Sequence, residues 1–431
     1  MPLRIVDKYL SFYGWRMVAV GCLFRLLGGG VHFYGFTVFF LPLSRDLGIN
    51  RAATSLIFSI ARAEGALEGP LAGYMIDRFG PRPIMLAGVI MSGLGYISLY
   101  WVDSYLTFLI VYMAVISLAF GAGFQHGPMV LANSWFIRWR GRAMALVSAS
   151  IGLGGALVTP LLAMVVHSWG WRGGVLSAGI LFLVVGVPLA AMVRRSPESR
   201  GLLPDGDTPS NQPPQDRSPN APPRPQDTHS PAKFSLRSVM SRYPFWLLTL
   251  ATMIRVLGLS TIIVHLVPIL VWKGWDQQSA AFLVGVYAFL SLPTHLIVGW
   301  FADRFNKPRV MAVCMVIAAL GAVALIYAQT NWLLYLFLPC FSFIEAVFPV
   351  TWATVGDLYG RERFGTIRGT MGFFYQWGGF IGPVVAGALY DSTQSYNTML
   401  WAIVALLFVC ALLYMTLSKP WLARTQGEPT A

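Results

Sequence analysis

The chain has 431 residues, 56% of them hydrophobic and only 11% charged, with a formal net charge of +13. A soluble domain carries about a quarter charged residues, so this composition excludes a chain that covers itself with polar surface. The apolar excess falls in runs long enough to cross a hydrocarbon core of about 30 Å, which places the chain in a membrane.

In chain order, apolar runs predict spans at 15–42, 52–76, 83–102, 105–135, 142–167 and 173–193, then at 244–271, 277–302, 309–329, 331–357, 366–390 and 396–418. Several are glycine-rich (Gly28 to Gly30, Gly152 to Gly155, Gly378 and Gly379), and small residues let membrane helices approach closely. The N-terminus lacks the small-residue cleavage site of a signal peptide, so the first span reads as a retained helix. The four cysteines (Cys22, Cys314, Cys340, Cys410) lie in apolar runs without metal or disulfide spacing.

Between the sixth and seventh spans the composition changes abruptly. Residues 196–233 hold ten prolines and no aromatic residue. Such a stretch buries too little apolar area to offset its conformational entropy, so a disordered linker is expected. The chain thus divides into an N-terminal bundle (1–195), a Pro-rich linker (196–242) and a C-terminal bundle (243–431), and shortening 205–228 is expected to be tolerated.

Charge placement orients the halves. Of 31 Lys and Arg residues, 24 fall at the termini or in the loops after even-numbered spans, and only Arg45, Arg51, Arg172 and Lys273 lie in the opposite loops. This is the positive-inside pattern, with both termini and the linker cytoplasmic. The basic balance therefore reports topology rather than a nucleic-acid partner.

One phrase occurs twice. "GYMIDRFGPR" (Gly73, Asp77, Arg78, Gly80, Arg82) follows the second span, and "GWFADRFNKPR" (Asp303, Arg304) follows the eighth, 226 positions later. Arg140-Gly141 opening span 5 is echoed by Arg368-Gly369 in span 11. Duplicated six-span halves flanking a path are a transporter architecture.

On these residues the sequence resembles the major facilitator superfamily over its whole length apart from the linker. The first loop is similar to that superfamily's G-x-x-x-D-R-x-G-x-R/K signature. Within it, "FTVFFLPLSRDLG", "WFIRWRGRAMA" and "GTIRGTMGFF" resemble the bacterial branch near monocarboxylate transporters and oxalate/formate antiporters. The resemblance implies an all-α membrane fold of twelve helices in two bundles related by a pseudo-two-fold axis. It also implies that spans 1, 4, 7 and 10 line a central cavity. Asp77 is then expected to face the start of span 11 (Arg363, Arg368) and Asp303 the start of span 5 (Arg138, Arg140, Arg142), as latches between the halves. Asn306, standing where the first copy has Gly80, is expected to weaken the second latch.

Ionisable groups inside spans are costly and mark candidate sites. Arg25 and Arg255 hold corresponding positions in the first helix of each half; they make an anion site or, alternatively, packing pairs such as one to Glu345. Tyr34, Gln125, His126, His265, His295 and Tyr375 are the other substrate-binding candidates, with Phe36, Tyr287, Phe348 and Gln376 as weaker aromatic and amide lining. Glu64, Glu68, Glu345 and His295 are the proton-coupling candidates. Glu64 and Glu68 equally fit a structural network with Arg62 or Arg25, and His265 and His295 equally fit hydrogen-bonded core histidines. The branch's usual groups are replaced: Tyr34 stands for the span 1 lysine, His295 for the span 8 arginine, Ser291 for its aspartate, and no lysine lies in span 11.

The expected function is secondary active transport of a small organic anion such as a monocarboxylate, by symport or antiport, from a monomer in a bacterial inner membrane. The alternatives are export of larger drug-like compounds and a non-transporting sensor. There is no phosphate-cradling G-x-x-x-x-G-K-[ST] and no H-E-x-x-H or G-x-S-x-G pattern, so neither an enzyme nor a cofactor nor a metal is expected.

Overall fold

The computed structural model describes residues 12–48, 51–207, 236–328 and 331–418; the side chain of Arg62 and that of Phe36 lie outside the described set. The described residues form helices and no strand. In a low-dielectric surround every backbone N–H and C=O must be satisfied within the segment, and a helix does this. The long helices are α1 (Tyr13–Phe33, continued by Phe36–Asp46), α2 (Arg51–Phe79), α3 (Pro81–Trp101), α4 (Tyr105–Trp135), α5 (140–169), α6 (171–192), α7 (Tyr243–Trp272), α8 (Gln277–Arg304), α9 (Lys307–Ile326), α10 (Asn331–Tyr359), α11 (Phe364–Thr393) and α12 (Asn397–Leu417). Among the described residues nine helices are long and apolar enough to cross a membrane, counting 140–192 as one.

Helix 140–192 is two helices joined at Gly170, whose φ of 69° only glycine adopts easily. The duplicated motif also ends on a turn. Gly80 (φ 89°) stops α2 and Pro81 starts α3, whereas Asn306 takes the same place by capping α9 through Arg309 N at 3.2 Å. The substitution of Asn306 for Gly80 thus exchanges one helix boundary device for another.

Packing repeats between the halves. Helix α1 lies on α5 as α7 lies on α11; α3 lies on α4 as α9 lies on α10; and α2 and α8 each cross to the other half, onto α11 and α5 respectively. Both crossings are built on glycine. Gly69 and Gly73 of α2 face Gly369 and Gly365 of α11, and Gly299 of α8 faces Gly141 and Ala145 of α5. No side chain separates the backbones there, which is how helices associate when lipid is as apolar as their own surfaces.

The linker is described only at its ends. Residues 196–207, expected to be disordered, form two short 3₁₀ turns, Pro197–Arg200 and Pro204–Gly206, against the first half, and Leu236–Met240 is helical. Residues 208–235 lie outside the described set.

Candidate functional site

The side of the molecule that carries the linker is where the halves are joined. Asp77, at the end of α2, accepts hydrogen bonds from the backbone N–H of Gly365 (2.9 Å) and Thr366 (2.6 Å) and from the Thr366 hydroxyl (2.7 Å). Asp303, at the end of α8, accepts from Gly141 N (2.7 Å) and Arg142 N (3.0 Å), with Arg142 Nε at 3.5 Å. Each carboxylate therefore caps the first turn of a helix from the opposite half, where unpaired N–H groups and the helix dipole favour negative charge. Arg363 lies within electrostatic reach of Asp77, but Arg368 does not face it. That arginine sits one turn further in, 2% exposed, with its guanidinium 4.9 Å from the Trp352 ring. Asn306 leaves the Asp303 contacts as short as those of Asp77.

The remaining motif residues serve their own half. Arg78 donates to Tyr74 Oη (2.9 Å), Arg82 is exposed, and Arg304 stacks over Trp300 at 3.9 Å. Arg140 crosses the divide: it pairs with Asp357 at 2.5 Å, and Lys307 binds the other oxygen of Asp357 at 2.7 Å. Arg361 crosses back, donating to Ser134 O (2.9 Å) and to Glu198 (2.7 Å). Burial works against the charge of Glu198, but hydrogen bonds from Ser196, its own backbone and Arg361 outweigh that and hold its carboxyl below the usual range.

Asp205 completes this side. It sits in a left-handed conformation (φ 59°) and receives Ile137 N (3.0 Å), Arg138 N (2.8 Å) and Trp139 N (3.3 Å), while Arg138 binds Asp207 at 2.8 Å. The start of the linker thus braces the loop that leads into α5. Asp205, Glu198, Asp357 and Arg361 were invisible to motif reading, because single acids in a polar stretch and at a helix foot carry no pattern.

Deeper between the halves lies a group of buried cations. Arg25 (7% exposed) on α1, Arg255 (1%) on α7 and Arg368 (2%) on α11 all lie within electrostatic reach of Tyr375, and Arg25 and Arg255 both reach His295. Tyr34 packs against Gly155 and lies within reach of Arg25 and Glu345. Arg255 donates to Ile344 O (3.1 Å) and rests 5.8 Å from the Phe348 ring; among the described residues its Nε and Nη2 have no hydrogen-bond partner, nor do Arg25 Nε and Arg368 Nε. No acid lies within ion-pair distance of these three arginines among the described residues; the nearby carboxylate is Glu345, which meets Ser291 and lies within reach of Arg255. His295 donates Nδ1–H to Ser291 O at 2.6 Å.

His126, at the end of a π-helical stretch of α4 (Gly121–His126), is in hydrogen-bond contact with Arg368 of α11 through Nδ1. Gln125 beside it is half-buried. Single π-turns re-aim side chains and recur at functional positions.

Other candidates are held elsewhere. His265 spends both ring nitrogens within its own half, on Pro383 O (3.0 Å) and Tyr396 Oη (3.4 Å), which makes it a core histidine. Glu64 faces Ser117 and Glu68 lies over Gly121, both on α4, so they turn toward the interior of the first half rather than to Arg25.

A sequence profile of the Major Facilitator Superfamily matches residues 26–272 and 248–430. Monocarboxylate transporter 2 of Homo sapiens is 25% identical over 97% of this chain and 89% of its own length, and monocarboxylate transporter 4 of Gallus gallus is 27% identical over 89% and 78%. Among solved structures, the FucP transporter in its outward conformation superimposes with a TM-score of 0.69 at 14% identity, covering 98% of this chain and all of that one. A double-tryptophan mutant of XylE reaches 0.73 at 16% identity, covering 94% and 96%. These relatives are carriers rather than enzymes, the likeness to solved structures shows the fold, and the chain is a multi-pass membrane protein belonging to the Major Facilitator Superfamily.

Proposed function

We propose that this transporter moves a small organic anion such as a monocarboxylate by alternating access, with a proton or by exchange. The observation that carries the reading is an imbalance of buried charge: Arg25, Arg255 and Arg368 have no carboxylate within ion-pair distance among the described residues, Glu345 only lies within electrostatic reach of Arg255, and the buried Glu68 is turned onto Gly121. An uncompensated buried cation is expensive, and arginine's planar fork is suited to a carboxylate, so a bound anion removes the imbalance. The monocarboxylate relatives agree with that chemistry.

In this reading twelve spans form two six-helix bundles, with the linker side cytoplasmic by the positive-inside pattern. The Asp77 and Asp303 caps close that side, and their release opens it. The working unit is a monomer in a bacterial inner membrane, an assignment resting on the sequence resemblance alone. Uptake of radiolabelled lactate or pyruvate into proteoliposomes, driven by an inward proton gradient or by preloaded unlabelled anion, tests it. Absence of both uptake and exchange for lactate, pyruvate and oxalate overturns it.

A further inference from the structure

The contact between Arg368 and His126 fixes the state of the imidazole. A guanidinium has only donors, so Nδ1 of His126 must present its lone pair, and the ring must be the neutral tautomer protonated at Nε2. Both groups are buried, His126 at 6% and Arg368 at 2% exposure, and they belong to opposite halves. From α1 the charged group within reach of His126 is Arg25; Glu68 of α2 lies over Gly121, about one turn earlier on α4, and Met85 of α3 meets Gly127. Two cations thus face one neutral base.

We infer that His126 is the proton acceptor that couples proton movement to anion binding, with Arg368 as the shared partner of the two. The inference rests on the anion reading above and deepens it. A carboxylate arriving at Arg25 and Arg368 draws the Arg368 N–H bonds onto its own oxygens. That frees the His126 lone pair, and the added negative charge beside it favours the imidazolium. One proton from water forms the Nδ1–H bond as one anion binds, so a monovalent anion crosses with no net charge. When the anion leaves, the guanidinium returns to Nδ1, and the proton is expelled to water by the loss of its counter-charge and the approach of Arg368. Because coupling free energies are reciprocal, the anion raises proton affinity by the factor by which the proton raises anion affinity.

The test measures proton uptake from weakly buffered, purified full-length protein when sodium lactate is added, beside lactate binding itself. At a pH between the ring's pKa in the free and in the anion-bound protein, wild-type protein is expected to take up about one proton per lactate bound, with apparent Kd rising about tenfold per pH unit, which follows from one linked proton. His126→Gln retains an acceptor for Arg368 but cannot carry the proton, so its binding is expected to lose both the uptake and the pH slope. Lactate binding without proton uptake in the wild type, or unchanged uptake in His126→Gln, overturns the inference while leaving the anion site standing. Failure of lactate, pyruvate and oxalate to bind at all overturns the functional reading and this inference with it. Should His126→Gln not fold, wild-type protein labelled with ¹⁵N at its six histidines gives the answer: one ring must change from neutral to cationic on lactate addition, and no change in any ring refutes the assignment.

Discussion

The carbonyl oxygen of Gly365 occupies the place where a side chain on Gly73 would begin, so α2 and α11 touch backbone to backbone one turn from the Asp77 cap. The same contact recurs a turn deeper, where a Cβ on Gly369 would overlap the Gly69 carbonyl. The contact of α2 with α11 on the linker side therefore combines an absence of side chains with a capping carboxylate.

Gly73→Ala tests the first requirement. The added methyl meets backbone rather than a movable side chain, so the halves must separate to admit it. Transport is expected to fall by at least tenfold, and a cysteine placed at Thr366 should gain reactivity toward a water-soluble maleimide from the linker side. Gly285→Ala, on the same scale of change but with nothing within 4 Å of the new atom, should leave both measurements near the wild type.

Asp77→Asn and Asp303→Asn test the second. Each removes the charge from a cap on a helix terminus, worth about 1–3 kcal/mol to the closed arrangement, equivalent to about a 5- to 150-fold shift between two states. Turnover should slow well beyond any change in anion affinity. The near-equal contact lengths of the two carboxylates predict comparable defects, and a silent Asp303→Asn would show that its cap is dispensable.

Arg25→Ala is expected to abolish uptake of anionic substrate with expression intact, because among the described residues Arg25 has no ion pair and its Nε no hydrogen-bond partner. Arg255→Ala differs. It removes the side-chain hydrogen bond to Ile344 O and the cation beside the Phe348 ring, so lost transport should come with a lower melting temperature. A thermal-shift series in lactate separates the two.

Asp205→Ala should loosen the brace on the α4–α5 loop, since three backbone N–H groups lose their acceptor. A cap of this kind is worth about 1–2 kcal/mol. Faster trypsin cleavage at Arg138 or Arg200, with a modest fall in melting temperature, is the expected result. Shortening the linker between 208 and 235 should leave transport near normal. Deletions that begin at 205 should not, which revises the tolerance expected from composition alone.

The amino-acid sequence by itself determined the membrane class, the helical runs, the duplicated halves and the family resemblance. These follow from composition, run length and short local phrases, which do not depend on how helices turn about their axes. It also pointed to Arg25 and Arg255, because an ionisable group in an apolar run is conspicuous wherever it faces, and to the two aspartates, because the phrase that carries them occurs twice. What each charge meets was decided only by the tertiary structure. Asp77 and Asp303 are received by backbone N–H groups, which have no sequence signature. Arg368 turned inward to His126, His265 stayed within its own half, and Glu64 and Glu68 faced α4. In a bilayer the lipid is as apolar as the core, so hydrophobic periodicity does not mark which face of a helix looks inward; the azimuth of every buried polar group is settled by close packing at glycine crossings and by the hydrogen bonds that packing permits.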